Sequence, residues 1–75
     1  MSTQVRLVGW EEGLKKVQLN HLLRERCLLG LAEAKQKVDD LLLGQPVLVD
    51  CDSAESAHAL IEEASSIGAV CEPLD

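Results

Sequence analysis

Three segments of the chain alternate between apolar and polar residues, the pattern typical of half-buried β-strands. The first runs from Thr3 to Val8, with Val5 and Leu7 on one side and polar residues on the other. The second follows Pro46, whose missing N–H does least harm at the start of a strand. The third covers residues 69–72. Inward positions of the second strand are Val47, Val49 and Cys51. The pattern therefore predicts a small sheet.

Between the first two strands the apolar spacing becomes helical. At about 100° per residue, the predicted helix over 14–26 buries a stripe formed by Leu19, Leu22 and Leu23. The opposite side carries a mixed face of Val17, Asn20, His21 and Arg24. Residues 9–13 are predicted to form a loop that folds Trp10 over the edge of the core. This first helix thus has an inward stripe and a distinct outward face.

Two further helices are predicted. An elbow at Leu28-Leu29-Gly30 separates the first from the second, and Gly30 is expected to supply a positive φ there. The second covers 31–43 and ends at Gly44; its predicted inward residues are Leu31, Ala34, Val38, Leu41 and Leu42. The third opens with Asp52 and Glu55 as a capping box, runs to Ile67, and buries Ala57, Leu60, Ile61 and Ala64.

The resulting order is β-α-α-β-α-β. We predict an α+β two-layer sandwich in which a three-stranded sheet carries three helices on one face, because this arrangement buries every apolar stripe. The 75 residues form a single domain over 1–75, with no room for a second core.

Charge is distributed unevenly along the chain. Residues 1–37 hold all seven Lys and Arg beside four Glu, whereas residues 38–75 hold nine acidic residues and no Lys or Arg. A net charge of −6 argues against a general nucleic-acid binder. No apolar run approaches the roughly 18 residues of a membrane span, and the N-terminus does not resemble a signal peptide. We therefore expect a cytoplasmic protein with a local basic face and no membrane association.

The residues that could carry chemistry form no recognisable constellation. Cys27, Cys51 and Cys71 lack C-x-x-C spacing, so reduced thiols without a metal or cofactor are expected. His21 and Cys27 fall on different sides of the first helix, which argues against a nucleophile pair. His58 has carboxylates nearby on its own helix, which is typical of ordinary helix pairing. The sequence predicts a protein that is not an enzyme.

One ordered set of residues resembles a known family. Lys16-Val17, Arg24, Leu29-Gly30-Leu31, Glu33-Ala34-Lys35 and Val38 follow the pattern K-V-x6-R-x4-L-G-L-x-E-A-K-x2-V, and the runs Ala57-x-Ala-Leu60 and Gly68-Ala69 agree further along the chain. This pattern resembles the C-terminal domain of the bacterial large-subunit ribosomal stalk protein, a member of the ClpS-like fold class. That domain recruits translational GTPases, so the resemblance implies a partner of this kind.

The resemblance also implies a docking surface. In the family it is the exposed side of the first helix plus a lysine on the second, which correspond here to Lys16, Val17, Arg24 and Lys35. Asn20 stands where the family has an aliphatic residue and His21 where it has lysine, while Cys27 and Leu28 replace the first two residues of the family's T-G-L-G-L turn. The family's N-terminal dimerisation domain is not among these residues. If they are the whole protein, we expect a free-standing copy of the recruiting domain.

We therefore predict a non-enzymatic protein-interaction module. The predicted partner-binding residues are Lys16, Val17, Asn20, His21, Arg24 and Lys35. Two alternatives remain open: a peptide or protease adaptor similar to ClpS, and a homodimer of unrelated function that pairs residual apolar surface about a two-fold axis.

Overall fold

Six elements follow one another in the computed structural model, which describes residues 3–73. They are β1 (Thr3–Trp10), α1 (Lys16–Arg26), α2 (Leu31–Leu42), β2 (Val47–Cys51), α3 (Ala54–Ser66) and β3 (Ala69–Pro73). The predicted order β-α-α-β-α-β and the α+β class are both confirmed.

The first strand lies in the middle of the sheet. The order is β2-β1-β3, and β1 is antiparallel to both neighbours. Val5 is paired with Val49 on one side and with Pro73 on the other. Both later strands are therefore edge strands, and they are two strand positions apart.

Only one face of the sheet is buried. Exposure alternates along β1 and β2, so that inward residues pack into the core while their neighbours face solvent. On the solvent side the Arg6 guanidinium donates to the Glu72 carboxylate at 2.9 Å, linking β1 to β3. The buried strand residues are Val5, Leu7, Val47, Val49, Cys51 and Ala69. The helices cover this face, as the two-layer prediction requires.

The first strand is two residues longer than predicted. The pairing of β1 with β3 shifts between Leu7 and Gly9, the irregularity of a β-bulge, and Trp10 then pairs with Ala69. Trp10 is thus the last residue of a strand and 43% exposed, so its predicted place in a loop over the core edge was wrong. A bulge adds a residue to the strand, which strict alternation does not reveal.

The helices bury the predicted stripes with a few differences. Leu19 and Leu23 of α1 are fully buried, and Leu22 is partly buried against the same cluster. Leu42 of α2 and Ile61 of α3 are also partly buried. The remaining buried helical residues are Ala34, Val38, Leu41, Ala57, Leu60 and Ala64. None of the helices within residues 3–73 combines the length and apolar content needed to cross a membrane.

The start of α1 is fixed by a tertiary contact. The backbone N–H of Glu11 donates to the carbonyl of Gly68 at 2.7 Å, and that of Lys15 donates to the carbonyl of Ile67 at 3.1 Å. Lys15 is therefore held at ψ 89°, outside the helical region, and α1 begins at Lys16 rather than at the predicted residue 14. The loop between β1 and α1 is docked on the end of α3.

The third helix is capped by Ser53. Its side chain accepts a hydrogen bond from the backbone N–H of Ser56 at 3.1 Å, the arrangement of an N-cap. The predicted capping box with Asp52 and Glu55 was wrong by one residue. Asp52 and Ser53 both carry acceptor side chains that cap helices well, and in the structure Ser53 caps α3.

The elbow between α1 and α2 differs most from prediction. Leu28 adopts φ 57°, and Gly30 lies at φ −72°, ψ 167°. The positive φ expected at Gly30 is therefore found at a leucine two residues earlier. Cys27 remains hydrogen-bonded to the carbonyl of Leu23 as the last residue of the α1 ladder. The chain then reverses at Leu28, and the extended backbone of Gly30 leads into α2.

Candidate protein-docking surface

The predicted outward face of α1 lies at the surface. Val17, His21 and Arg24 are four and three residues apart, so they line one side of the helix. Val17 is 73% exposed, so its apolar side chain is open to a partner. Lys16 is exposed beside it, and Asn20 is half-buried at the flank of the same face. Five of the six predicted partner-binding residues therefore lie on α1.

Two of these residues contact each other directly. The Arg24 guanidinium donates from Nη2 to Nδ1 of His21 at 2.8 Å. Because an arginine only donates, Nδ1 must act as the acceptor, and the imidazole proton then lies on Nε2. The contact fixes the orientation of the imidazole ring and leaves an N–H of His21 directed elsewhere. An arginine and a histidine are thus held together in the middle of the face.

The basic residues of this face are not neutralised by the chain itself. Among the residues that the structure describes, the ion pairs are Arg6 with Glu72 and Arg26 with Glu63, at 2.9 and 2.7 Å. Lys16, Arg24 and Lys35 therefore have no carboxylate within salt-bridge distance in the described part of the chain. Their charge remains available for an acidic partner.

The sixth predicted residue lies on the neighbouring helix. Lys35 is exposed on α2, which packs beside α1. No hydrogen bond or ion pair within residues 3–73 joins Lys35 to the α1 face. Leu31 is one turn earlier on the same side of α2, since residues i and i+4 share a helix face. The structure thus gives Lys35 an apolar neighbour.

The prediction missed two apolar residues at the elbow. Leu28 is 73% exposed, and Leu31 is 63% exposed although helical spacing placed it inward. Leu31 is the first residue of α2 and is not part of the buried cluster of the described residues. Leu28 directly follows the end of α1, next to Cys27. We use the name "docking surface" for the six predicted residues together with Leu28 and Leu31.

A groove borders this surface on the side of α3. It has a volume of about 320 Å³, and Leu22 and Ile67 form its apolar part. Glu25 and Glu63 contribute carboxylates to it, and the Arg26 guanidinium ties Glu63 to α1 at 2.7 Å. The other lining residues are Gln18, His21 and Ser66. His21 therefore belongs both to the docking surface and to the groove.

The thiols have the opposite character to activated nucleophiles. Burial raises the pKa of Cys27 well above the ordinary thiol value. Burial also raises the pKa of Cys51, and it raises the pKa of Cys71 to about 11. Reactive cysteines instead show a lowered pKa in an electropositive, accessible setting. Within residues 3–73, no three His, Cys, Asp or Glu side chains converge as a metal site.

Neither the protein-family models nor the curated proteins compared with this chain give a match. The fold defines the molecule as a small α+β domain. The resemblance to the stalk-protein domain rests on the residues quoted in the sequence analysis.

Proposed function

We propose that this domain is a protein-interaction module that binds its partner through the docking surface. The observation that carries the proposal is the 73% exposed Val17 in line with Arg24, which forms no ion pair within residues 3–73, on one side of α1. Interfaces combine apolar anchors with a rim of charge, and arginine is enriched among the residues that contribute most to binding.

The chemistry of the surface suits one kind of partner. Lys16, Arg24 and Lys35 favour an acidic surface, and Val17, Leu28 and Leu31 require an apolar groove within it. Fully burying one valine or leucine side chain contributes about 1.5–3 kcal/mol. A partner that covers two of the three would therefore gain enough to select this surface. The resemblance to the stalk-protein domain suggests a translational GTPase, and the cytoplasm is then the compartment in which the two would meet.

The test compares two arginines of the same chain. Arg24→Glu reverses a charge on the docking surface, whereas Arg6→Glu makes the same change on the far face of the sheet. Binding of each variant to a purified, GTP-loaded bacterial elongation factor would be measured by calorimetry, with circular dichroism as a check of folding. We expect Arg24→Glu to weaken binding by about tenfold or more, equivalent to 1.4 kcal/mol, and Arg6→Glu to have little effect.

Two results would contradict the proposal. One is the absence of binding by the unmodified chain to any GTP-loaded translational GTPase tested. The other is unchanged affinity when Lys16, Arg24 and Lys35 are all reversed in charge. An affinity that falls as salt is raised would support the electrostatic part of the argument, because exposed charges are screened.

The groove supports a second candidate function, that of a peptide adaptor. Its apolar part and the Glu25 carboxylate fit a peptide that begins with a free amino group followed by an apolar side chain, since Glu63 is already paired with Arg26. Fluorescence polarisation with paired peptides, free and acetylated at the N-terminus, would separate this function from the first. Binding of the free form that is lost on acetylation and in Glu25→Gln would support it, and equal binding of both forms would dispose of it.

The homodimer remains the third alternative, since it would use the same exposed apolar residues. Light scattering across a concentration series tests it directly. A monomer at the highest concentration would remove the homodimer and leave the surface free for another protein.

A further inference from the structure

Two cysteine side chains meet in the core at a point that the docking surface does not use. The sulfur atoms of Cys27 and Cys51 are 3.5 Å apart, and both residues are buried. Cys27 ends the hydrogen-bond ladder of α1, and Cys51 is the last residue of β2. The two residues are 24 positions apart in the chain. Their contact therefore joins the elbow to the sheet.

We propose that Cys27 and Cys51 are a modification site, at which a peroxide-class oxidant converts the two thiols into an intramolecular disulfide. A disulfide requires a sulfur–sulfur distance of about 2.05 Å, so the two atoms must approach by roughly 1.5 Å. Both residues stand at the ends of their elements, where the backbone adjusts more easily than within a helix or strand. The elbow that follows Cys27 is exposed at Leu28.

The sheet separates the third cysteine from Cys51. Cys71 lies on β3, and β1 separates that strand from β2. Strands two positions apart are about 9.5 Å from each other, beyond the roughly 7 Å limit between the Cα atoms of a disulfide. The pairing register separates them further, since Cys71 is opposite Leu7 and Cys51 is opposite Thr3. Cys71 should therefore not pair with Cys51, and the 3.5 Å sulfur contact of Cys27 is with Cys51.

The reaction balances with one peroxide. One thiolate attacks an oxygen of hydrogen peroxide, the O–O bond breaks, and a sulfenic acid forms while the released hydroxide takes up a proton and leaves as water. The second sulfur then attacks the sulfenic sulfur. The S–S bond forms, the S–O bond breaks, and the hydroxide leaves as a second water with the remaining thiol proton. Each sulfur loses one electron, and the two peroxide oxygens gain one each.

Burial sets the rate of this reaction. Because burial raises the pKa of both thiols, little thiolate is present near neutral pH, and the oxidant must also reach a covered site. Oxidation should be slow in the native protein and faster at alkaline pH. The pair is suited to sustained oxidising conditions rather than to a brief signal.

The test identifies the linked residues in the native protein. The purified chain is treated with hydrogen peroxide, its remaining thiols are alkylated in denaturant, and it is digested without reduction. Trypsin cleaves after Arg26, and a glutamate-specific protease cleaves at Glu55 and Glu62, between Cys51 and Cys71. We expect a single cross-linked species that joins the Cys27 peptide to the Cys51 peptide, with Cys71 alkylated. Links through Cys71, links between two chains, or three alkylated cysteines would overturn the proposal.

Two variants and a melting curve complete the test. Cys71→Ala should form the same link, and Cys51→Ala should form none. The oxidised wild-type protein should melt about 10 °C or more above the reduced protein, because the disulfide restricts the unfolded chain. A melting temperature no higher than that of the reduced protein would refute a bond formed within the native geometry. This comparison uses one unmodified sequence, so it does not depend on a variant that folds poorly.

Discussion

Leu28 allows backbone strain and side-chain contact to be measured separately. It has φ 57°, a conformation that costs a residue with a Cβ roughly 1–2 kcal/mol and glycine almost nothing. Its side chain is 73% exposed, so only about a quarter of the 1.5–3 kcal/mol of full leucine burial, or about 0.5 kcal/mol, is at stake in the isolated domain. The backbone term should therefore exceed the packing term at this position.

The comparison that isolates the backbone term is Leu28→Gly against Leu28→Ala. Both variants lose the same exposed side chain beyond Cβ, but only glycine relieves the positive φ. Glycine also loses about 0.5–1 kcal/mol through its greater freedom in the unfolded chain. We expect Leu28→Gly to be more stable than Leu28→Ala by about 0.5–1 kcal/mol, which raises the melting temperature by roughly 2–8 °C for a domain of this size.

The assay is urea unfolding followed by circular dichroism, with the midpoint and the slope fitted for both variants. Equal slopes would show that the two unfolded states are comparable. A Leu28→Gly variant that is less stable than Leu28→Ala would refute the assignment of strain to this residue. If Leu28 is an anchor of the docking surface, both variants should bind the partner about equally weakly. Stability and binding would then move in opposite directions for the glycine variant.

Three other predictions follow from the same structure. Gly68→Ala should be less stable than Gly13→Ala by about 1 kcal/mol or more in urea unfolding. Both glycines have a positive φ, but only at position 68 would the new Cβ lie 3.1 Å from a backbone atom of the β1–α1 loop. Ser53→Ala should lower the free energy of unfolding by about 1 kcal/mol, whereas Asp52→Ala should change it by less than about 0.5 kcal/mol, since the cap is at position 53. Burial raises the pKa of Cys71 from 9.0 to about 11, so the buried neutral thiol stabilises the folded state fully below pH 9. This stabilisation is lost as the pH rises towards 11, because the thiol of the unfolded chain ionises first. The melting temperature of Cys71→Ala should therefore fall less over that range than the melting temperature of the wild-type protein.

Side-chain periodicity predicted the fold because the core of this domain is built from regular elements. Val47, Val49 and Cys51 alternate with exposed residues as a one-sided strand must, and Ala57, Leu60 and Ala64 keep helical spacing. Each apolar stripe in the sequence has one buried counterpart in the structure. The order of the elements then leaves few ways to stack helices on a three-stranded sheet.

The errors come from places where tertiary contacts override local preference. Glycine is the residue that usually adopts a positive φ, so Gly30 was the natural choice, yet the path between the packed ends of α1 and α2 imposes that conformation on Leu28. Trp10 was misplaced because a bulge changes the phase of β1 after Leu7. Leu31 follows helical spacing but lies beyond the cover of other elements. Single-sequence patterns contain none of these contacts.

The candidate site likewise has features that the sequence could predict and a contact that it could not. The outward face of α1 followed from spacing alone, since Val17 and Arg24 stand opposite the buried leucines. The hydrogen bond between Arg24 and His21 was within reach of a helical argument, because the two residues are three positions apart. The contact between Cys27 and Cys51 was not, because it depends on where the end of α1 meets the end of β2. Long-range contacts of this kind require the assembled fold.

The elbow brings the two proposals together in one short segment. Cys27 points into the core against Cys51, and the next residue, Leu28, is exposed at a positive φ. The position from which Leu28 reaches outward is therefore set by how Cys27 is seated. A disulfide at Cys27 would restrict the motion of the elbow without adding or removing any atom on the docking surface. Restricting the elbow lowers the entropy lost on association where the partner binds Leu28 in the position seen here. Oxidation should consequently preserve partner binding, because the thiol pair and the docking surface meet at neighbouring residues, Cys27 and Leu28, that face opposite sides.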